Sequence, residues 1–294
     1  MNIELVYYIL IFIGGTFIGS FLNLVSDRLI NGEPILFGRS HCDFCKKPLG
    51  PKNLIPIFSY LFQKGKCAFC KKKLSAFYLV SEILAGFALV LASYYSGILN
   101  TFSFRDFWDF LLLSIVFCLY IIIFLADLKY YLIPDIIVYL GIGVTTLFVV
   151  GGYAMDLYSF YQKLMGDPLG PYLIKVGFWD SQLKYVLESL GETLGSSLII
   201  ALFFLLLVWI TKERGMGAGD IKLGFFIALF NGFPGNIIGI FLGFILGAAL
   251  SLFLIVFKRK TLKDSVPFGP FLIAGSIIAL LYSSNILSWY INLF

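Results

Sequence analysis

Two pairs of cysteines and two widely separated aspartates are the residues of this sequence whose type and spacing can do chemistry. Cys42-Asp-Phe-Cys45 and Cys67-Ala-Phe-Cys70 stand 21 residues apart, with Pro48, Gly50 and Gly65 close by. Two C-x-x-C turns at that separation can bring four thiolates around one tetrahedral ion, as in a zinc ribbon. Zinc there would fold a short Lys-rich loop with too little apolar material for a core of its own. Four thiolates leave no open coordination position, so this metal would be structural. Redox dithiols, two disulfides and accidental pairs compete with zinc, and the compartment the loop faces decides among them. His41, the only histidine, adjoins Cys42 and reads as a loop residue beside the site. Cys118 lies in an apolar run and reads as a small filler.

The aspartates stand at the ends of apolar runs, where an ionisable group is costly and therefore informative. Asp127 follows the run Phe117 to Ala126, and Asp220 stands in Gly215-Met-Gly-Ala-Gly-Asp220-Ile-Lys222 directly before another. Two carboxylates brought together cannot easily both ionise, so they share a proton near neutral pH. One can then activate water while the other protonates the carbonyl or leaving amine, which is general acid/base peptide hydrolysis. Gly217 and Gly219 would let backbone approach a substrate strand or turn with positive φ. The competing reading makes each aspartate a helix cap, and for Asp135, which follows Pro134, it is the preferred one. Lys129 and Lys222 lie two positions after the two acids. In a turn each could lower a carboxylate pKa or hold a substrate carbonyl, and positive-inside anchoring explains them equally well. Glu82, inside an apolar run, could pair with a lysine or line a polar cavity.

These residues need elements to hold them, and composition says which. Of 294 residues 60% are apolar and 13% charged, against roughly 45–50% and about 25% in soluble domains. Thirty-two Phe and 17 Tyr exclude a disordered chain. The expected fold is all-α and polytopic, with about eight transmembrane helices near 5–27, 77–98, 107–126, 135–154, 193–211, 220–233, 236–257 and 270–291. The first run lacks a basic n-region and reads as a retained anchor. Residues 1–30 then form the first span, 31–76 a small zinc-ribbon-like cysteine loop, and 77–294 the remaining membrane domain. With the N-terminus outside, only Arg105, Lys163, Lys175 and Lys184 of the 22 Lys and Arg face outward. The other 18, nine of them from Arg39 to Lys73, lie on one side, which the positive-inside rule makes cytoplasmic. Thiols there stay reduced, both aspartates reach the same boundary, and the loop cations can rest on anionic headgroups. No recognition-helix or stacking motif accompanies the charge, so nucleic acid is not an expected partner. The outer segment 152–191, with Trp179 and several Tyr, suits a helix lying in the interface.

Several motifs in order carry a resemblance over nearly the whole chain. They are Gly19-Ser-Phe-Leu-Asn-Leu-Val-Ser-Asp-Arg28, the double C-x-x-C loop with Leu54-Ile-Pro and Ser59-Tyr-Leu inside it, Asp127 to Asp135, Gly217-Ala-Gly-Asp220-Ile-Lys222 and Pro267-Phe-Gly-Pro-Phe271. The sequence resembles the prepilin peptidases, or type IV leader peptidases, Gly-x-Gly-Asp membrane proteases of bacterial inner membranes. The resemblance implies that Asp127 and Asp220 are the catalytic pair. It also implies that the substrate is a prepilin or pseudopilin losing a short basic leader on the cytoplasmic side, and that S-adenosylmethionine methylates the new N-terminus. No Gly-x-Gly-x-x-Gly with a distant acid marks a methyl-donor site, so that activity rests on the resemblance alone. A transporter using Asp127, Asp220 and Glu82 as an ion relay and a zinc-stabilised scaffold are the competing functions. The first predicts acids near mid-span, the second functionally silent aspartate substitutions.

Overall fold

The computed structural model describes residues 3–35, 38, 40–42, 44–212, 216–257 and 266–293. Arg39, Asp43, Arg214, Gly215, Lys258, Arg259, Lys260 and Lys263, named in the motif and charge readings above, lie outside the described residues. Among those described the regular structure is helical, with only two isolated bridges, His41 to Pro48 and Lys66 to Lys73. The chain divides into two compact units, Met1–Ile137 and Val138–Phe294.

In the first unit α1 (Ile3–Asn31) leads into the cysteine loop, which holds one 3-10 turn at Pro51–Asn53 and the short α2 (Phe58–Phe62). Then come α3 (Phe77–Ser96), α4 (Ile98–Thr101) and α5 (Phe104–Tyr130). Helices α1 and α3 pack backbone to backbone because α1 presents Gly15 and Gly19. A Cβ on Gly15 would stand 2.7 Å from the Ala85 carbonyl oxygen, and one on Gly19 2.7 Å from Glu82 Cα. This is the small-residue packing that apolar helices use where lipid supplies no hydrophobic drive. One turn on from Gly19, Asn23 is fully buried and donates Nδ2 to the Phe77 carbonyl (2.9 Å) and the Ser81 hydroxyl (3.0 Å). Helix α5 begins with a capping box: the Ser103 hydroxyl accepts from Asp106 N, and Asp106 Oδ2 from Ser103 N, both at 3.1 Å. Its side chains Val116, Phe117, Tyr120 and Ile123 are buried at 2% exposure or less, which makes it the core of this unit.

The second unit contains most of α6 (Asp135–Gly166), then α7 (Gly170–Lys175), α8 (Phe178–Thr211), α9 (Ala218–Asn231), α10 (Gly235–Val256) and α11 (Gly269–Ile291). Helices α10 and α11 meet through small residues: a Cβ on Gly275 would fall 2.6 Å from Gly243 N. Helix α9 is enclosed, with Leu223, Gly224, Phe226, Ile227, Ala228 and Leu229 buried, and the Phe226 ring lies over Gly141 of α6. Side-chain bonds tie the helices together: Asn231 Nδ2 to Ser276 Oγ and Asn236 Nδ2 to Ser196 Oγ, each 2.7 Å.

Among the described residues seven helices are long and apolar enough to span a bilayer: α1, α3, α5, α6, α8, α10 and α11. The chain is a multi-pass membrane protein. The sixth expected span is α9, whose 14 residues rise only about 21 Å. The segment 152–191 differs from a helix lying in the interface. Its first part continues α6 to Gly166 and its last part opens α8 at Phe178, with α7 between. Apolar periodicity and good helix formers carry both long helices past the lengths their apolar cores require.

Candidate functional site

The cysteine loop is built as two copies of one turn. Cys42-x-Phe-Cys-Lys-Lys-x-Leu49 and Cys67-x-Phe-Cys-Lys-Lys-x-Leu74 repeat at an offset of 25 residues. Each first cysteine donates its N–H to the carbonyl five residues on, Cys42 to Lys47 (3.1 Å) and Cys67 to Lys72 (2.9 Å). Each closes with a lysine at positive φ, Lys46 at 56° and Lys71 at 58°. The copies then cover one another, with Lys72 Nζ 4.8 Å from the Phe44 ring centre and Lys47 Nζ 5.4 Å from that of Phe69. The result is a cluster in which the sulfurs of Cys42, Cys45, Cys67 and Cys70 all lie within 4.8 Å of one another. Cys42 Sγ and Cys70 Sγ are 3.9 Å apart, close to the ~3.8 Å edge of a tetrahedron with ~2.3 Å metal–sulfur bonds. The backbone N–H groups of Cys70 and Phe69 aimed at the Cys67 sulfur hold its pKa down to about 6, whereas burial pushes Cys42 up to about 11. All four cysteines are free thiols. The donor set fits a metal ion with a preference for four thiolates.

Asp127 sits in the last turn of α5, buried at 5% exposure. Its carbonyl accepts from the N–H of Tyr131 (2.9 Å), the left-handed residue that ends the helix. Because Asp127 and Lys129 are both helical, they leave α5 about 200° apart, and Lys129 does not flank the carboxylate as a turn would have allowed. Lys129 Nζ instead meets Asp27 Oδ1 and Asn23 Oδ1 of α1, each at 2.8 Å, and lies over the rings of Phe77 and Tyr78. The Tyr130 hydroxyl adds a third contact to Asp27 at 3.0 Å. Sequence reasoning misses this lock beside Asp127. Its signal is the spacing of Asn23 and Asp27, four apart on the same apolar helix as Gly15 and Gly19.

Asp220 is the third residue of α9, buried at 8% exposure, with Oδ2 accepting from Gly217 N at 3.0 Å. The capping reading is therefore realised in part. Gly217 has extended backbone, φ −91°, not positive φ, but a Cβ there would meet nothing nearer than 4.0 Å. Among the described residues the space at Gly217 is therefore free for a neighbouring group. Lys222 turns to the Tyr139 ring, 5.4 Å away. Asp135 is the exposed first residue of α6, where a carboxylate favours the helix N-terminus. Glu82, at 6% exposure in α3, accepts the N–H of Ile57 at 2.6 Å. Ile57 has φ 63°, so the carboxylate holds the loop in a strained turn and borders a polar cavity. Asp127 belongs to the first unit and Asp220 to the second. Each is a buried carboxylate at a helix end.

Residues 13–96 match the family described as the Bacterial Peptidase A24 N-terminal domain. Over 286 residues the chain is 28% identical to the prepilin leader peptidase/N-methyltransferase of Bacillus subtilis (strain 168), covering 97% of this chain and 98% of that protein. The protein of the same name from Aeromonas hydrophila is 24% identical over 312 residues, with 98% and 95% covered. That of Legionella pneumophila is 26% identical, with 86% and 76% covered. No solved structure matches the chain at a comparable level of significance. An N-terminal domain of peptidase type, and relatives that all bear the name prepilin leader peptidase/N-methyltransferase and align nearly end to end, are what this chain is similar to.

Proposed function

We propose that the chain is a membrane aspartyl endopeptidase. It removes the short basic leader of type IV prepilins or pseudopilins at the cytoplasmic face and then N-methylates the new N-terminal residue with S-adenosylmethionine. The observation that carries this reading is the end-to-end alignment with proteins named for both activities, in a chain with a buried carboxylate at the end of each of two helices, Asp127 and Asp220. The charge asymmetry of the loops supports an N-terminus outside and a cysteine loop inside. The four-thiolate set, in a reducing compartment, supports zinc as the metal.

In the proposed hydrolysis one aspartate, ionised, takes a proton from water as its oxygen attacks the scissile carbonyl. The other, protonated, donates to the carbonyl oxygen. The tetrahedral intermediate collapses with proton transfer to the departing amine, and the leader leaves as a free acid. The absence of a side chain at Gly217, three residues before Asp220, would give an extended substrate strand room there. Lys129, locked to Asp27, fixes the turn that bears Asp127 and acts as a positioning residue. When bound, S-adenosylmethionine supplies an electrophilic methyl group, and the chain must hold it near the amine that cleavage uncovers. Asp127→Asn and Asp220→Asn should each lower leader removal from a purified prepilin at least about 100-fold, while a leaderless pilin is still methylated. Appreciable cleavage by either variant refutes the pair.

A further inference from the structure

Helix α9 stops among uncharged polar groups of the second unit. A rod of 14 residues, about 21 Å long, cannot bring both of its ends to water across a ~30 Å slab. Its last carbonyls, which no further turn satisfies, therefore need protein partners. Gly232 N donates to the Ala228 carbonyl at 3.1 Å, and Asn231 Nδ2 donates to the Ile227 carbonyl at 3.0 Å as well as to Ser276 Oγ of α11. Just beyond the turn, Asn236 is fully buried, donates Nδ2 to Ser196 Oγ of α8 and accepts from Ile237 N at 2.8 Å. One atom of this knot is left over. Asn231 Oδ1 is sealed from solvent and accepts from no group among the described residues. Turning the amide over would not help, because it would set Oδ1 against the Ile227 carbonyl, two acceptors 3.0 Å apart. A buried acceptor of this kind is costly until something donates to it.

The surroundings of that oxygen limit what the donor can be. Gly235, the first residue of α10, has no side chain, and a Cβ there would clear its neighbours, standing 3.7 Å from Asn231 Cβ and 3.7 Å from Ser283 Oγ of α11. The donor must therefore be small. It must also be neutral, because the side chains that meet here, of Asn231, Asn236, Ser196, Ser276 and Ser283, are amides and hydroxyls, and a charge among them at lipid depth would go uncompensated. We propose that this knot is a binding site for a single water molecule, which donates to Asn231 Oδ1 and engages the Ser283 hydroxyl. Water is both donor and acceptor, and ordered waters of this kind serve polar groups that the fold cannot pair. Here the water completes the cap of α9 and lets the helix end short without turning an acceptor toward hydrocarbon. Asn231, the last residue of α9, lies about 16 Å along the helix from Asp220, so the site serves the helix and not the proposed hydrolysis.

Two measurements on the whole chain test the site. In crystals grown from a lipidic mesophase and diffracting to about 2 Å, an ordered solvent oxygen should stand about 2.7–3.2 Å from Asn231 Oδ1. A side-chain donor in its place, or no density there, overturns the proposal. The second measurement compares Gly235→Ala with Gly235→Ser in lipid nanodiscs. Helix propensity ranks Ala above Ser, so without a bound water the Ala variant should be at least as stable. With one, the methyl of Gly235→Ala crowds the water out and leaves Asn231 Oδ1 unmet, whereas the hydroxyl of Gly235→Ser takes the water's place and donates to that oxygen. Gly235→Ala should therefore melt at least about 3 °C below Gly235→Ser, and equal melting or the reverse order overturns the proposal. Asn231→Leu would lose the bonds to Ile227 and Ser276 as well, so the Gly235 pair decides. Melting of the unaltered protein should be the same in sodium, potassium and choline chloride. A rise of more than about 2 °C in sodium, absent from Gly235→Ser, makes the ligand a cation and overturns the water.

Discussion

Replacing Cys67 by Ser should unfold the cysteine loop while leaving the helices that bear it intact. Among the described residues from 40 to 76 only Cys42, Pro56 and Cys67 are buried, so two of the three interior side chains are metal ligands and no apolar core stands behind them. A tetrathiolate zinc site contributes about 10–16 kcal/mol of apparent binding free energy at neutral pH. That is as large as the whole stability of an ordinary domain, about 5–15 kcal/mol. The cation–π contacts of Lys72 with Phe44 and Lys47 with Phe69 add about 0.5–1 kcal/mol each and cannot compensate. Helices α1 and α3 pack through Gly15 and Gly19 with no help from the metal. Hydrogen exchange on the full-length protein, read alongside zinc content, should show the Cys67→Ser variant without metal and with protection lost from Cys42 to Leu74. Protection in α5 should be unchanged. Stripping the unaltered protein with a chelator should reproduce the loss, and zinc should reverse it there but not in the variant. A metal-free protein with its loop protection intact would refute the reasoning.

Acid should release the metal in a definite window. Without metal, Cys42 is pushed up to about 11 and Cys67 held down to about 6, so zinc must displace protons from the cluster at neutral pH and its apparent affinity should fall steadily as pH drops from about 9 to about 6; an affinity independent of pH over that range would contradict this. Gly19→Leu would drive a side chain into the backbone of α3, where even a Cβ stands 2.7 Å from Glu82 Cα. It should destabilise the protein by about 1–3 kcal/mol or more, seen as a lowered melting temperature, whereas Gly14→Ala, with open space around it, should not. Lys129→Met leaves Asp27 without its cation in a pair whose side chains are 11% and 25% exposed. The loss should be about 1–3 kcal/mol, discounted for that exposure from the full cost of breaking a buried pair, and largely cancelled in a double variant with Asp27→Asn. On the proposed reading, in which the lysine positions Asp127 and does not hold substrate, cleavage by Lys129→Met should fall through kcat rather than KM.

The spans are legible because a long apolar stretch has one physical solution in a bilayer, a helix that satisfies its own backbone. Hence α3, α10 and α11 begin within a residue of where hydropathy puts them. The two acids and four cysteines are legible by the same logic of cost, since charge and thiol pairs stand out against such a background. Features that depend on partners are not. Asn23 and Asp27 announce a polar face of α1 but not that Lys129 of α5 answers it. The polar cavity that Glu82 borders is invisible because its walls come from segments scattered between Ser20 and Glu82. The repeat Cys-x-Phe-Cys-Lys-Lys-x-Leu lies open in the sequence, yet ligand spacing alone does not reveal it, because half of each copy lies beyond the second cysteine. The glycines before Asp220 suggest positive φ, yet Gly217 is extended and its small size serves access.

The brevity of α9 has a consequence for how water reaches an acid inside lipid. Its 14 residues fall about 9 Å short of a ~30 Å hydrocarbon slab, and α8, α10 and α11 wrap it so that the shortfall is met by protein, not by acyl chains. A stubby, jacketed rod of this kind keeps the carboxylate at its start, Asp220, enclosed by protein and not by lipid. Proteolysis within a greasy medium must import its own reagent, and on the proposed reading a rod this short leaves water the least distance to travel to an acid.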